Sequence, residues 1–546
     1  MEKENGKDVT SDILESFGIY QIIQYILVFL PVIFVSMNNV NYVFVAGDIG
    51  YRCYIPECEA PDPSYSVAWW PKTVADKCSK PILNKTLLED NVCTNSSFTT
   101  EVERCTHWVY ESNNTIIGEF DMACEPWKTN IIGMIRNIGM ATSMLIVGWV
   151  ADKIGRKPTF IVCSVGVLLG NFKTIATSYN MYISLEFLES LVSGGAYTAG
   201  MVLMIEIGGK KNRVLAGVLF AYAIYMGEAV FACIAMLVPY WKHLLYIMCC
   251  PSIIFLSYFF IIQESPRWQI LNKRTEKAKN TLKLIAKTNK LDVNVAVVDN
   301  LSEDQLKRTC SDETKSKREG YKDVFKSREM VKRIFVASIC RFAVSFIYYG
   351  LIVNSVWLPG NKYTNFMLAA VMSFPGELIS MYFMNKYGRK VPLCLGYLLC
   401  AAACIASGYV SDHYTEIKIT LFLIGKLVVA ACYTGIVTYT MELFPTSVRG
   451  SLLGFCTLAS CAGTTLAPLS SILTRISPAL TSVCFGCSAV ISSLLLILTP
   501  ETKDLPLMDT IGQVQDYVKA AKEKKALKKE KNDTNNAFDV EYTTRF

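Results

Sequence analysis

Twelve long apolar runs divide the chain, and polar segments of unequal length separate them. The first six are Ile19–Val45, Ile131–Val150, Phe160–Thr177, Met181–Met204, Val214–Val238 and Leu244–Ile262. The second six are Ile334–Val353, Phe366–Met384, Val391–Val410, Ile419–Met441, Leu452–Ile472 and Leu480–Leu498. A helix needs roughly 20 such residues to cross a hydrocarbon core of about 30 Å. The pattern therefore predicts an all-α membrane protein of twelve transmembrane helices. It divides the chain into a polar N-terminal tail (1–18), a first span (19–45), a long polar loop (46–129) and spans two to six (130–262). A polar segment (263–332), spans seven to twelve (333–498) and a tail (499–546) follow.

Composition agrees. Of 546 residues, 52% are hydrophobic and 18% charged, against roughly 25% charged in an average soluble domain. The stretch before Ile19 holds Glu2, Lys3, Glu4, Lys7, Asp8, Asp12 and Glu15, so the first span reads as a signal anchor and not a cleaved signal peptide. The net charge of +7 is a topology signal and calls for no nucleic acid. Basic residues fall in alternate loops: Lys153, Arg156 and Lys157, then Lys210, Lys211 and Arg213, then Lys386, Arg389 and Lys390. Segment 263–332 adds 17 Lys and Arg against 11 acids. By the positive-inside rule these loops and both termini are cytoplasmic. The 263–332 segment reads as amphipathic helices on anionic lipid or as a solvated regulatory loop, and the Lys519–Lys531 run is similar.

The 46–129 loop is then extracellular. It carries Cys53, Cys58, Cys78, Cys93, Cys105 and Cys124 and the Asn-X-Ser/Thr sites Asn84, Asn95 and Asn113. On the oxidising side, six cysteines suggest up to three disulfides among fifteen connectivities, and the three Asn are glycosylation candidates. A zinc cluster is disfavoured because the loop has no Cys-X-X-Cys pair and only His107 nearby. No metal site is expected elsewhere, since His243 and His413 join no ligand constellation.

Three loop signatures recur in the same order in both halves. Asp152-Lys153-Ile154-Gly155-Arg156-Lys157 matches Asn385-Lys386-Tyr387-Gly388-Arg389-Lys390. Glu206 and Arg213 match Glu442 and Arg449, and Glu264 in Glu264-Ser265-Pro266-Arg267 matches Glu501 in Pro500-Glu501-Thr502-Lys503. A near-constant offset marks an internal repeat of six spans. Acids accompanying bases at fixed spacing predict a cytoplasmic gate of Gly148, Asp152, Arg156, Glu206, Arg213, Glu264, Arg267, Asn385, Arg389, Glu442 and Arg449. In it, Arg156 and Arg213 pair with Glu206 or Glu264 in one state and separate in another. Met381 stands where the first half has Gly148, and Asn385 where it has Asp152, so the first half is expected to hold the stronger lock.

These motifs, with the Cys-rich loop, Glu264-Ser265-Pro266-Arg267-Trp268, Ser345-Phe346-Ile347-Tyr348-Tyr349-Gly350-Leu351 and Glu442-Leu443-Phe444-Pro445-Thr446, resemble the major facilitator superfamily. The chain is most similar to its organic cation, carnitine and organic anion transporter family, closest to insect-type organic cation members. The resemblance implies two pseudo-symmetric six-helix bundles around a central cavity, alternating access, and polyspecific small organic ions as substrates. It also implies a cavity face at Tyr348 and Tyr349, and a basic position of the tenth helix at Lys426. Two departures stand out. Glu186 lies where many members carry Arg, and Cys461 lies near a position that is Asp in cation carriers and Arg in anion carriers.

An ionisable group within a span costs roughly 2.5–3.5 kcal/mol, so each should face a cavity or a partner. Glu186, Glu228, Glu377 and Lys426 are such groups, with Arg341 near the start of span seven. Three acids against one secure base make the cavity negative, which favours a cation. Tyr348, Tyr349 and Tyr433 offer rings to it, and Asn38 and Asn39 offer polar contacts. The rival structural reading pairs Lys426 with one of the acids. Gly194-Gly195 reads as close helix packing. No Gly-X4-Gly-Lys-Ser/Thr motif supports ATP-driven pumping, no cofactor is called for, and no nucleophile–base pair suggests an enzyme. The expected function is organic-cation transport at the plasma membrane. The rivals are a carnitine-like zwitterion, an organic anion, and a non-transporting receptor or scaffold. The terminal Thr544-Arg545-Phe546 would suit a PDZ-type partner.

Overall fold

The computed structural model describes residues 12–59, 63–70, 77–84, 93–209, 212–291, 298, 303, 305–306, 321–445, 447–503, 510–516 and 519. The terminal Thr544-Arg545-Phe546 and most of the Lys519–Lys531 run lie outside the described residues. Among the described residues twelve helices are long and apolar enough to cross a membrane. In the first half they are Ile19–Val45, Pro126–Ile154, Arg156–Ile175, Tyr179–Gly208, Arg213–Leu237 and Trp241–Ile261. In the second they are Arg328–Trp357, Lys362–Tyr387, Lys390–Tyr409, Thr415–Leu443, Arg449–Ile476 and Pro478–Ile497. Numbered in this order, they are spans one to twelve.

Several spans are interrupted where the sequence weakens the backbone ladder. Span four breaks between Ser193 and Gly195. A Cβ on Gly194 would lie 3.0 Å from the Met140 Cα, so this glycine lets spans two and four approach closely. Span eleven has a short 3-10 turn, Ala467–Leu469, around Pro468, whose nitrogen cannot donate to the preceding turn. Spans two and three, and likewise eight and nine, meet at Gly155 (φ 130°) and Gly388 (φ 101°). Such a backbone favours glycine, which explains why the repeated signature carries one at each corner.

The long loop after span one folds on two small antiparallel sheets. Tyr51–Cys53 pairs with Trp108–Tyr110, and Ser79–Leu83 pairs with Phe98–Arg104. All six of its cysteines pair: Cys53–Cys105, Cys58–Cys93 and Cys78–Cys124. So small a segment has little apolar core, and cross-links replace it. Asn95 and Asn113 are exposed and Asn84 is half-buried.

The two halves meet at the end of the molecule that carries this loop. Phe44 of span one stacks on Tyr363 (4.9 Å) and packs on Phe366 (5.3 Å) of span eight. The Asn137 amide of span two donates to the Thr464 carbonyl of span eleven at 3.1 Å, and Arg475 reaches Asp48 at 3.6 Å. At the opposite end, a Cβ on Gly148 of span two, or on Gly450 or Gly454 of span eleven, would have no heavy atom of a neighbouring segment within 4 Å among the described residues. Asp152 is 72% exposed there.

Candidate functional site

Midway between the ends, spans five, seven, eight and ten bring a polar and aromatic cluster to the boundary of the halves. Span five contributes Tyr225 and Glu228, span seven Tyr348 and Tyr349, span eight Phe374 and Glu377, and span ten Lys426, Tyr433 and Thr434. The Lys426 ammonium lies 3.1 Å from the Tyr348 ring centroid and donates to the Tyr348 carbonyl at 3.2 Å. The Tyr348 ring also packs on Tyr349 (5.2 Å), Tyr433 (5.4 Å) and Tyr225 (6.5 Å), and its hydroxyl meets Ser373 Oγ at 3.1 Å. Lys426 is fully buried. A desolvated cation on such a ring gains roughly 2 kcal/mol, which is how a lone ammonium is held there.

The two carboxylates differ. Glu377 Oε2 accepts from Thr434 Oγ1 at 2.5 Å and from Tyr225 Oη at 3.3 Å, so one acid is held by both halves. Glu228 is 1% exposed, and among the described residues neither of its oxygens has a hydrogen-bond partner. The charge facing it is that of Lys426. Such a carboxylate is costly unless something positive approaches. Arg341, lower on span seven, donates to Thr457 at 3.3 Å and faces the half-buried Cys461.

Two sequence expectations need correction. Glu186 does not face this cluster, and Asn38 is not free to contact a substrate. Both belong to a buried ion cluster inside the first half. Arg136 of span two bridges Glu186 (2.5 Å) and Glu189 (2.8 Å) of span four, and Lys173 of span three reaches the same acids at 2.9 and 3.5 Å. Asn38 donates to Glu189 and accepts from Asn41, while Asn39 gives its carbonyl to Arg136. The physical reason is charge balance, because two acids shielded by two bases can be buried where one alone cannot. Sequence reasoning overlooked Arg136, Lys173 and Glu189, although the three-residue spacing of Glu186 and Glu189 puts them on one helix face. The excess of acid disappears only when Arg341, lower on span seven, is counted with the central cluster: Glu228 and Glu377 then stand against Lys426 and Arg341.

The loop signatures form two matching clusters, each within its own half. In the first, Arg156 reaches Asp152 (2.8 Å) and Glu206 (3.2 Å). In the second, Arg389 Nη2 reaches Glu442 at 3.1 Å, its Nε contacts both carboxylate oxygens at 3.2 Å, and Thr502 adds a 2.7 Å bond. Asn385 in place of Asp152 removes one ion pair from the second cluster, and the Thr502 hydroxyl occupies Glu442 in addition to Arg389.

Glu264 is a correction as well. It does not bind a guanidinium; its Oε1 accepts the backbone N–H groups of Arg156 and Lys157, both at 3.1 Å. Glu501 does the same for Arg389 and Lys390 at 2.8 and 2.9 Å. Each carboxylate closes the glycine corner by filling donors left open at a helix start. Burial pushes Glu264 above the usual carboxylate range, only partly offset by these N–H groups. Glu501 is less buried, and the N–H groups of Lys503, Arg389, Lys390 and Thr502 outweigh burial and hold it below that range. Arg267 is half-buried beside this corner, and Arg449 donates to the Phe444 carbonyl at 3.1 Å.

Known proteins share this architecture. The proton:xylose symporter XylE, described as a major facilitator superfamily protein, superimposes with a TM-score of 0.56 at 14% identity, over 89% of this chain and 98% of that one. An inward-open conformation of XylE from E. coli gives 0.55 at 16% identity, covering 72% and 90%. Among sequence relatives, the organic cation transporter protein of Drosophila melanogaster is 26% identical over 94% of this chain and 95% of its own. Solute carrier family 22 member 2 of Rattus norvegicus is 28% identical over 77% and 75%. A family model described as "Sugar (and other) transporter" matches residues 83–511, and with twelve spans in two repeated halves the chain belongs to that family of membrane transporters.

Proposed function

We propose that the protein carries small organic cations across the plasma membrane by alternating access, with the loop-signature end and both termini cytoplasmic. The observation that carries this reading is the cation seat at the boundary of the halves. There an ammonium already rests on Tyr348, near the Glu228 carboxylate, which has no hydrogen bond among the described residues. A substrate cation fits the same chemistry, held by Glu228 or Glu377 and by the rings of Tyr348, Tyr349, Tyr225 and Tyr433. Relatives named as organic cation transporters support the substrate class.

In this conformation the halves touch at the outer end, and the helix surfaces at Gly148, Gly450 and Gly454 are uncovered at the inner end. The alternative state would bring those surfaces together and part Phe44 from Tyr363. Arg156–Glu206 and Arg389–Glu442, each confined to one half, keep each half rigid as it moves. Uptake needs no covalent step: 100 mV supplies about 2.3 kcal/mol per charge, roughly a fifty-fold gradient. Uptake of tetraethylammonium, carnitine and an aromatic carboxylate by expressing cells tests the reading. Saturable tetraethylammonium uptake that accelerates as the interior becomes more negative is expected, and carnitine uptake without it would refute the proposal. The balance of two acids and two bases favours a zwitterion as the second reading, its carboxylate going to Lys426 or Arg341.

A further inference from the structure

Below the first half, at the inner end, lies a cavity of about 610 Å³ that plays no part in the transport cycle described above. One wall is the last turns of spans two and six, Ile154 and Phe259. The facing wall is the exposed stripe of a surface helix, Thr275–Thr288, represented by Lys277 and Leu284. We propose that this cavity binds the phosphorylated headgroup of an anionic phospholipid of the inner leaflet. The inference rests on the orientation proposed above and not on the substrate.

Charge comes first. Lys157 lines the cavity from the start of span three, and Arg274 and Lys277 line it from the cap and first turn of the surface helix; among the described residues none is within ion-pair distance of a carboxylate. The one acid in the wall, Glu264, is committed to the backbone N–H groups of Arg156, Lys157 and Ser265. The cavity therefore gathers three bases against one acid, Glu264, whose charge acts on Lys157. Preorganisation comes second. The Arg274 guanidinium lies 4.7 Å over the Trp268 ring, and the Trp268 indole donates to the Asp152 carbonyl at 2.8 Å. A guanidinium fixed in plane suits a phosphate oxygen pair.

Depth selects a lipid over a soluble anion. Phe260 is 87% exposed beside the cavity, and Ile154, Phe259 and Ile261 are exposed as well. These side chains mark the level of the acyl chains, so the basic groups sit where headgroups are. The surface helix buries Ala278, Leu282 and Ile285 against the protein and keeps its cationic stripe on the lipid side. Because Asp152 lies in the last turn of span two and Lys157 in the first turn of span three, an occupied site would brace the corner between them.

The test uses full-length protein in nanodiscs of phosphatidylcholine, with or without a few mole per cent of phosphatidylinositol 4,5-bisphosphate, reading retained lipid by native mass spectrometry. Each basic residue near an anionic surface is worth roughly a factor of five, so Arg274→Gln with Lys277→Gln should weaken retention about thirty-fold. The control pair Lys287→Gln with Lys290→Gln, exposed on the same segment but outside the cavity, should weaken it far less. An unchanged melting temperature in pure phosphatidylcholine shows that the variants are folded. Equal losses for the two pairs would mean diffuse attraction and overturn the proposal. So would displacement of the lipid by millimolar inorganic phosphate, which would mark a soluble-anion site.

Discussion

Replacing Lys426 by Met tests the cation seat most directly, because the expected sign opposes the usual effect of damaging a binding site. The ammonium sits 3.1 Å from the Tyr348 ring centroid and is fully buried. An incoming cation must either share that ring or displace the ammonium. Displacement forfeits a desolvated cation–π contact of roughly 2 kcal/mol, which is about a thirty-fold handicap on substrate affinity at 1.4 kcal/mol per decade. Methionine has similar length and no charge, so Lys426→Met removes the competitor and also leaves Glu228 without the charge that faces it. Both effects act in the same direction. The KM for tetraethylammonium should fall between three-fold and thirty-fold, with unchanged surface expression measured by biotinylation. A KM that is unchanged or raised in well-expressed protein would show that Lys426 is a structural tie between spans seven and ten. Lys426→Arg supplies the control, since it keeps the charge and should leave KM within a few-fold of wild type.

Other perturbations separate the remaining parts. Arg136→Met leaves Glu186 and Glu189 with Lys173 alone; breaking a buried ion pair costs roughly 3–5 kcal/mol, so the melting temperature in detergent should drop sharply whatever the substrate. Gly148→Leu adds a side chain where this conformation has open space. The protein should reach the surface and bind substrate from the inside, yet lose uptake because the inner end cannot close; near-normal uptake would contradict the proposed gate. Removing the Cys58–Cys93 bridge by Cys58→Ser with Cys93→Ser should cost about 2–5 kcal/mol and show as retained, immature glycoprotein. Acidification should affect the two corners in order. Glu264 has its proton affinity raised and gives up its charge first as pH falls, while Glu501 stays ionised until below the ordinary carboxylate range. Amide exchange at Arg156 and Lys157 should therefore accelerate at a pH where Arg389 and Lys390 are still protected.

The fold was legible because a bilayer forces each crossing to declare itself as a run of about 20 apolar residues. The corner loops were legible because Gly155 and Gly388 satisfy a backbone demand and their acids recur at fixed offsets. The charge of the interior was not. Averaging over an apolar run hid Arg136, Lys173 and Glu189, and only packing reveals that they neutralise Glu186. Disulfide pairing was equally out of reach, since six cysteines leave the choice to the fold of the loop. The sequence left Arg156 to pair with Glu206 or Glu264, because spacing shows that charges are near one another and cannot show that a carboxylate prefers backbone donors.

The corrected charge count changes what the membrane potential can act on. Counted by formal charge, with Arg341 included, Glu228 and Glu377 balance Lys426 and Arg341, so the site is neutral without substrate and a monovalent cation makes it +1 during the loaded step. The potential then drives the loaded reorientation and leaves the return step unaffected. A carrier with a net negative cluster would show the reverse, a neutral loaded step and a return step opposed or aided by voltage. Exchange and net uptake distinguish the two, since exchange uses only loaded steps. In wild-type protein net uptake should accelerate with a more negative interior, and exchange should also depend on voltage because both of its steps carry charge. In Lys426→Met the cluster falls by one charge, so the voltage dependence should move from the loaded step to the return step: tracer exchange would become voltage-insensitive while net uptake would still respond. Exchange that stays voltage-sensitive in that variant would refute this charge count, and exchange already voltage-insensitive in the wild type would mean that Lys426 carries no charge in the working carrier.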